Sequence, residues 1–176
     1  MQKRLLLDSV QIEITIRRLC YQLIENHDDF ANSAIIGLQP RGIFVARRIH
    51  NCLLEILKVS SLRIGSLDVT FYRDDFRRRE IISPSKTNID FIVENQKVIL
   101  VDDVFFTGRT IRAGMDALLD YGRPEKVELL TLVDRRYSRH LPIAPDYIGV
   151  QVDTITSEKV KVQWKETDDE DAVWLV

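Results

Sequence analysis

Two adjacent aspartates, Asp102 and Asp103, close a run of four apolar residues in "KVILVDDVFFTGRT", Lys97 to Thr110. A carboxylate is costly in the dry middle of a sheet, so the pair marks where a buried strand reaches a crevice. Ionised carboxylates only accept hydrogen bonds. Two neighbouring acceptors suit the adjacent hydroxyls of a ribose, and they equally suit a hydrated divalent cation. Successive strand residues face opposite ways, so both acids serve one ligand only if the chain is already turning there. The turn Thr107-Gly108-Arg109-Thr110 then opens a helix. Free N–H groups at a helix start, with the helix dipole behind them, favour phosphate. Gly108 permits close backbone approach, and the hydroxyls of Thr107 and Thr110 can donate. The stretch reads as a ribose clamp followed by a phosphate cradle. The plain alternative is a strand end and a helix capped by one of the threonines, and a strand–loop–helix with one glycine does not exclude it.

These residues need a scaffold, and the rest of the chain supplies one. Residues 7–29 carry Ile12, Ile16, Leu19, Cys20 and Leu23 at helical spacing, with Asp8 or Ser9 as the cap. "SAIIGLQPRG" is a short apolar run broken by Gly37, Pro40 and Gly42, which predicts a buried strand and a tight loop. A helix over 43–57 and a β-rich segment over 62–72 follow. Residues 97–104 predict a strand, 109–122 a helix stopped by Gly122 and Pro124, and 126–136 another apolar strand. Shorter β-like pieces lie at 146–153, 158–164 and 172–176. Strands rich in Val, Ile and Leu alternating with helices predict an α/β fold, a mostly parallel sheet covered on both faces. Ligands then bind beyond the carboxyl ends of the strands, in the loops after Leu38, Val101 and Val133. Residues 73–91 differ from their surroundings: charged, aperiodic and containing Pro84, they predict a functional lid loop.

Bulk composition excludes several classes. The 176 residues carry 25 Lys and Arg against 27 Asp and Glu, a net charge of −2, which is not the basic excess of a dedicated nucleic-acid binder. Length and the lack of a linker predict one domain, 1–176. Cys20 and Cys52 sit in apolar helical segments without a CxxC or Cys/His cluster, so the expectation is two free buried thiols and no structural zinc. The opening "MQKRLLLDSV" has too short an apolar run for a signal peptide, and nothing approaches a membrane span, so a cytoplasmic, membrane-free protein is expected.

The segment 98–110 resembles the phosphoribosyl-pyrophosphate (PRPP) motif of the type I phosphoribosyltransferases: four apolar residues, two acids, mostly apolar positions, then Thr-Gly-x-Thr. Across nearly its whole length the chain is similar to the PyrR type, the pyrimidine operon attenuators that are also uracil phosphoribosyltransferases. That resemblance rests on "VDDVFFTGRTIRAGMDAL", "YGRP", "LVDRR" with "LPI" after it, "DYIGV", "LDVTFYRDD" and "TSEKVKV". It implies a type I phosphoribosyltransferase fold with a lid over about 73–91 and a small hood from the terminal segments.

The resemblance also implies roles. Asp102 and Asp103 would hold the ribose hydroxyls, and Val104 and the stretch Thr107, Gly108, Arg109 and Thr110 the 5′-phosphate side. Pro40, Arg41 and Gly42 would form the pyrophosphate loop, and Arg73 would reach the diphosphate as the lid closes. Arg77, Arg78 and Arg79 are weaker candidates there, since arginines beside acids usually form a solvated face. Asp134 and Arg135 would lie near the base, with Val160 on a hood strand. Arg41, Arg73 and Asp103 are the candidates for catalysis. The PyrR pattern places Lys-Thr where this chain has Gln39-Pro40; proline makes a cis peptide cheaper there, and the sequence leaves the isomer open. Purine-salvage relatives carry an aspartate just before the Thr-Gly, where this chain has Phe106, which cannot exchange a proton with a ring nitrogen. This favours uracil.

The implied reaction joins uracil and PRPP into UMP and pyrophosphate, with Mg²⁺ held through substrate and water rather than by protein ligands. The implied partner besides these is pyr leader RNA, not DNA, and the implied assembly a homodimer or larger homo-oligomer. Arg17, Arg18 and Tyr21, with Arg136, Tyr137 and Arg139, are the candidates for an RNA face. Against it stand Glu13 and Glu25 on the same helix, and Ala144 and Val150 where the attenuators carry basic residues.

Overall fold

A computed structural model describes residues 3–73, 85–155 and 158–176. Most of the expected 73–91 lid, including Arg77, Arg78 and Arg79, lies outside the described residues, as do Thr156 and Ser157.

Five strands form a wholly parallel sheet: β2 (Ser33–Leu38), β3 (Arg63–Leu67), β4 (Lys97–Phe105), β5 (Lys126–Arg136) and β6 (Tyr147–Asp153), in the order β3-β2-β4-β5-β6. Every residue of β2 is buried, as a continuous apolar run covered on both faces requires. Helices α1 (Ser9–His27) and α2 (Gly42–Leu57) cover one face, packing on Ile35, Ile99, Val101, Leu130 and Leu132. Helix α3 (Arg109–Leu118) covers the other, on Ile36, Leu38, Val98, Leu100 and Leu129. The alternation of these two sets along each strand is the period-2 pattern of a pleated sheet.

Local chemistry sets the element ends. Asp8 caps α1: its carboxylate accepts from the Gln11 N–H at 2.8 Å while the Gln11 side chain takes the Asp8 N–H at 3.0 Å. The β-rich segment over 62–72 is shorter than its composition predicts. It pairs only through Leu67 and then tightens into a 3-10 turn, Thr70–Tyr72, because the Asp68 carboxylate takes the N–H of Thr70 at 3.0 Å and its hydroxyl at 2.6 Å. The predicted helix over 109–122 is α-helical only to Leu118 and ends in a 3-10 turn, Leu119–Tyr121.

A second, three-stranded antiparallel sheet, β1-β8-β7, joins the two ends of the chain: β1 (Arg4–Leu7), β8 (Ala172–Leu175) and β7 (Val160–Gln163). Periodicity does not predict β1, although the resemblance implies a hood built from the terminal segments. Arg48 on α2 ties this hood to the main body: it chelates Glu166 at 2.8 and 3.0 Å, reaches Asp171 at 2.8 Å, and lies 4.4 Å from the centre of the Trp164 ring.

At the amino edge of the sheet, far from the aspartate pair along the strands, a polar cluster is buried. His27 Nδ1 is 2.8 Å from Ser33 Oγ, and Nε2 is 2.7 Å from Glu128 Oε2. Burial holds the His27 imidazole below its ordinary value, and the Glu128 charge does not restore it. Burial pushes the Glu128 carboxyl up, but the Lys126 ammonium at 2.6 Å and His27 outweigh it, so Glu128 titrates lower than a free glutamate. Both groups therefore bind fewer protons folded than unfolded, and stability rises with pH. The melting temperature is expected to fall as the pH drops below about 6.5, and again as it passes about 4.3. His27→Gln should flatten the upper step in a pH series of thermal melts; an unchanged upper step would assign it to another group.

Candidate active site

The carboxyl ends of β2, β4 and β5 adjoin one another, since Gly37 pairs with Val101 and Phe105 with Asp134. The aspartate pair does not lie beyond β4 but inside its last four residues, and each acid is only 8% exposed. The chain accommodates this by binding its own backbone: Asp102 Oδ1 accepts the Asp103 N–H at 2.9 Å and Asp103 Oδ1 accepts the Val104 N–H at 2.8 Å. The two carboxylates have different surroundings. Asp102 lines a cleft of about 200 Å³ together with Arg73, Val104, Phe106, Thr107 and Thr110. Asp103 Oδ2 accepts from Arg41 Nε at 3.0 Å. Burial, and then the Asp103 charge beside it, hold the Asp102 carboxyl well above the usual aspartate range.

The β2–α2 loop packs directly on this strand. The Gln39–Pro40 peptide is cis. A Cβ on Gly42 would stand 2.3 Å from the Val101 carbonyl oxygen and 2.9 Å from the Asp102 Cα, so only glycine fits. Arg41 follows the loop round and donates both to Asp103 and to the Val162 carbonyl on β7. It thus bridges the acid pair to the hood.

Gly108 has φ +91°, a conformation that β-carbons oppose, and α3 begins there with no side chain capping it. The Thr107 hydroxyl accepts only a long contact, 3.4 Å, from the Arg109 N–H. With no side-chain cap, the start of α3 can receive an anion. Arg73 donates to Thr110 Oγ1 at 3.0 Å and so stands on the phosphate-loop side of the cleft.

The structure brings Asp102, Val104, Thr107, Gly108, Arg109, Thr110 and Arg73 to one cleft, with Arg41, Gly42 and Asp103 against it. Asp134 is not turned into it. Its carboxylate is 4% exposed and is taken by Arg139 and, at 3.3 Å, by Gln151. The Arg135 guanidinium lies 3.9 Å from the centre of the Phe106 ring and donates to Thr154 Oγ1 at 3.1 Å and the Glu158 carbonyl at 2.8 Å. Val160 is half-buried at the start of β7, two residues before the Arg41 contact. A larger groove of about 400 Å³ lies between α1 and α2 beside Cys52. Its mixed charges include neither paired acids nor an open helix start, so the smaller cleft is where the chemistry can occur.

Several residues considered for an RNA face have partners within the chain. Arg17 meets Glu55 at 3.4 Å, Arg18 donates to the Ile148 and Gly149 carbonyls, and Arg136 chelates Asp153 at 2.6 and 2.8 Å. Tyr21 and Tyr137 are exposed, Tyr137 by 84%.

Comparison with known families fits this geometry. The family model described as "Phosphoribosyl transferase domain" matches residues 4–167. The chain belongs to the phosphoribosyltransferase family. Within it, the chain groups with the PyrR proteins. A protein named Bifunctional protein PyrR from Desulfosudis oleivorans is 46% identical over 176 residues, covering 98% of this chain and 96% of that protein. The protein of the same name from Bacillus subtilis is 41% identical, with 98% and 96% covered. Among solved structures, the hypoxanthine phosphoribosyltransferase of Trypanosoma cruzi superposes with a TM-score of 0.73, covering 98% of this chain and 95% of that one at 15% identity, a likeness of fold. Among the described residues no helix of this phosphoribosyltransferase is long and apolar enough to cross a membrane.

Proposed function

We propose that the chain transfers the phosphoribosyl group of PRPP to uracil, releasing UMP and pyrophosphate. The observation that carries this reading is the paired Asp102 and Asp103 at the end of β4, running straight into the uncapped start of α3. The ribose hydroxyls donate to the two aspartates. The 5′-phosphate takes the start of α3 with the Thr107 and Thr110 hydroxyls. The loop of Pro40, Arg41 and Gly42 meets the diphosphate, and Arg41 leaves Asp103 to do so. Arg73, on the phosphate-loop side of the cleft, adds positive charge beside the departing diphosphate. The hood, with Val160, and Arg135 on the Phe106 ring border the base. The bond from C1′ to pyrophosphate breaks as the bond to uracil N1 forms and the N1 proton is lost to the departing pyrophosphate or to water, through an oxocarbenium-like state that needs no protein nucleophile.

Two adjoining carboxylates without a third acid among the described residues fit a magnesium ion that arrives on PRPP and keeps substrate and water oxygens. When bound, it offsets the charge that builds on the leaving diphosphate.

Purified protein given PRPP, Mg²⁺ and, separately, uracil, orotate, hypoxanthine, guanine and adenine is expected to form UMP alone. Phe106 supports the pyrimidine preference because it offers a purine no proton-exchanging group. Phe106→Asp should lower UMP formation by losing the ring that Arg135 covers, at a cost of about tenfold. Turnover of a purine but not of uracil by the unaltered protein would refute the assignment of the base.

The name of the relatives, Bifunctional protein PyrR, supports a second activity: nucleotide-sensing regulation through pyr leader RNA. Exposed Tyr137 offers a stacking surface for an unpaired base. A filter-binding assay with leader RNA, with and without UMP, tests this; no retention at low salt would remove it.

A further inference from the structure

After β5 the chain turns at Tyr137, φ +62°, and passes back over the outside of the phosphate loop. Arg139 donates to the carbonyl of Phe106 and, at 2.9 Å, to that of Arg135. The next residue, His140, donates its N–H to the Thr107 carbonyl at 3.0 Å. Leu141 and Ile143 continue the strap, their side chains 3.4 and 3.6 Å from where a Gly108 Cβ would stand. Two consecutive carbonyls of the loop are thus held from outside by two consecutive residues.

We propose that Arg139 is a positioning residue for the 5′-phosphate, acting through the Phe106 carbonyl; the inference rests on the phosphoribosyl-transfer reading of the cleft. A trans peptide is planar, with its C=O and N–H pointing opposite ways. Holding the Phe106 carbonyl outward turns the Thr107 N–H inward, and holding the Thr107 carbonyl outward does the same for the Gly108 N–H. These are the two amides that lead into α3, whose start the 5′-phosphate takes in the proposed reaction. Water or a flexible side chain would hold the carbonyl loosely, whereas Arg139 is fixed at three points. It pairs with the buried Asp134, donates to the Arg135 carbonyl at 2.9 Å, and its guanidinium lies 3.8 Å from the centre of the Phe105 ring, while Gln151 donates to the other Asp134 oxygen at 3.3 Å. The planar, permanently charged fork of arginine can serve a carboxylate and a carbonyl together; lysine cannot. Asp134 therefore acts through Arg139 rather than on the base.

Calorimetric titration with ribose 5-phosphate and, separately, with magnesium pyrophosphate tests the idea. Arg139→Gln should weaken ribose 5-phosphate by about 10- to 100-fold, the scale of a misplaced binding group, and leave pyrophosphate unchanged. Arg139→Lys should recover part of the loss. Asp134→Asn, which keeps the shape but weakens the anchor, should show the same selectivity at smaller size and serves if the Arg139 variants do not fold. Equal loss of both ligands, or no loss in a folded variant, would overturn the role of Arg139. Unaltered protein that binds neither ligand would instead refute the reading of the cleft, and the inference with it.

Discussion

Gly42→Ala is expected to lower the melting temperature of the ligand-free protein by about 6–12 °C and to abolish PRPP binding. The added methyl group would lie 2.3 Å from the Val101 carbonyl oxygen and 2.9 Å from the Asp102 Cα. Both are backbone atoms of a buried central strand, so no side chain can rotate away. Overpacking of this kind costs about 3 kcal/mol where nothing can yield, and each kcal/mol is worth about 2–4 °C in a chain of this size. The shift has to be taken up by the β2–α2 loop or by β4. The first moves Arg41 off Asp103, and the second moves Asp102 itself. Thermal melts and PRPP titration of the purified variant check both halves. A normal melting temperature would mean that the loop stands further from β4 than the structure places it.

Asp102→Asn should separate stability from activity. The buried Asp102 carboxyl has its titration raised by burial and by Asp103. A carboxyl raised in the folded state stabilises below its unfolded value, about 4, and that stability is lost as the pH rises through the folded value. The asparagine amide cannot ionise, and its oxygen can still accept the Asp103 N–H. The variant is therefore expected to melt about 2–8 °C higher than the parent near neutral pH, a gain of about 1–2 kcal/mol, with the two converging below pH 4. Its activity should fall by about 10²- to 10³-fold, because an acceptor for the ribose is weakened where charge matters. Asp103→Asn should not share the gain. It takes the buried acceptor from Arg41, whose side chain is 41% exposed and can turn to water, so its melting point should stay level or fall slightly. A drop in stability for Asp102→Asn would show that its carboxylate is paired in the free protein.

Much of this was legible along the chain because the signals are local. The PRPP motif lies within 14 consecutive residues, and the apolar runs of β2, β4 and β5 need no partner to be recognised. β1 was not legible. It has four residues without alternation, and it becomes a strand only by pairing with β8, as Leu7 with Val173, at the far end of the chain. The segment over 62–72 misled for the converse reason: β-branched and aromatic residues favour a strand, and one Asp68 side chain turned the chain instead.

The sequence by itself determined the chemistry on offer: two acids, a Thr-Gly-Arg-Thr turn opening a helix, and a phenylalanine where a proton-exchanging group would serve a purine. Only the tertiary structure decided how they are held. Arg41 reaches Asp103 across 62 residues and Val162 across 121, and Arg139 reaches the Phe106 carbonyl across 33. Such contacts leave no period and no spacing in the chain. They arise where parallel strands bring their carboxyl ends to one edge, and there packing rather than residue type fixes which charge meets which. For the same reason Asp134, an acid at a strand end like Asp102, is buried against an arginine instead of facing the cleft.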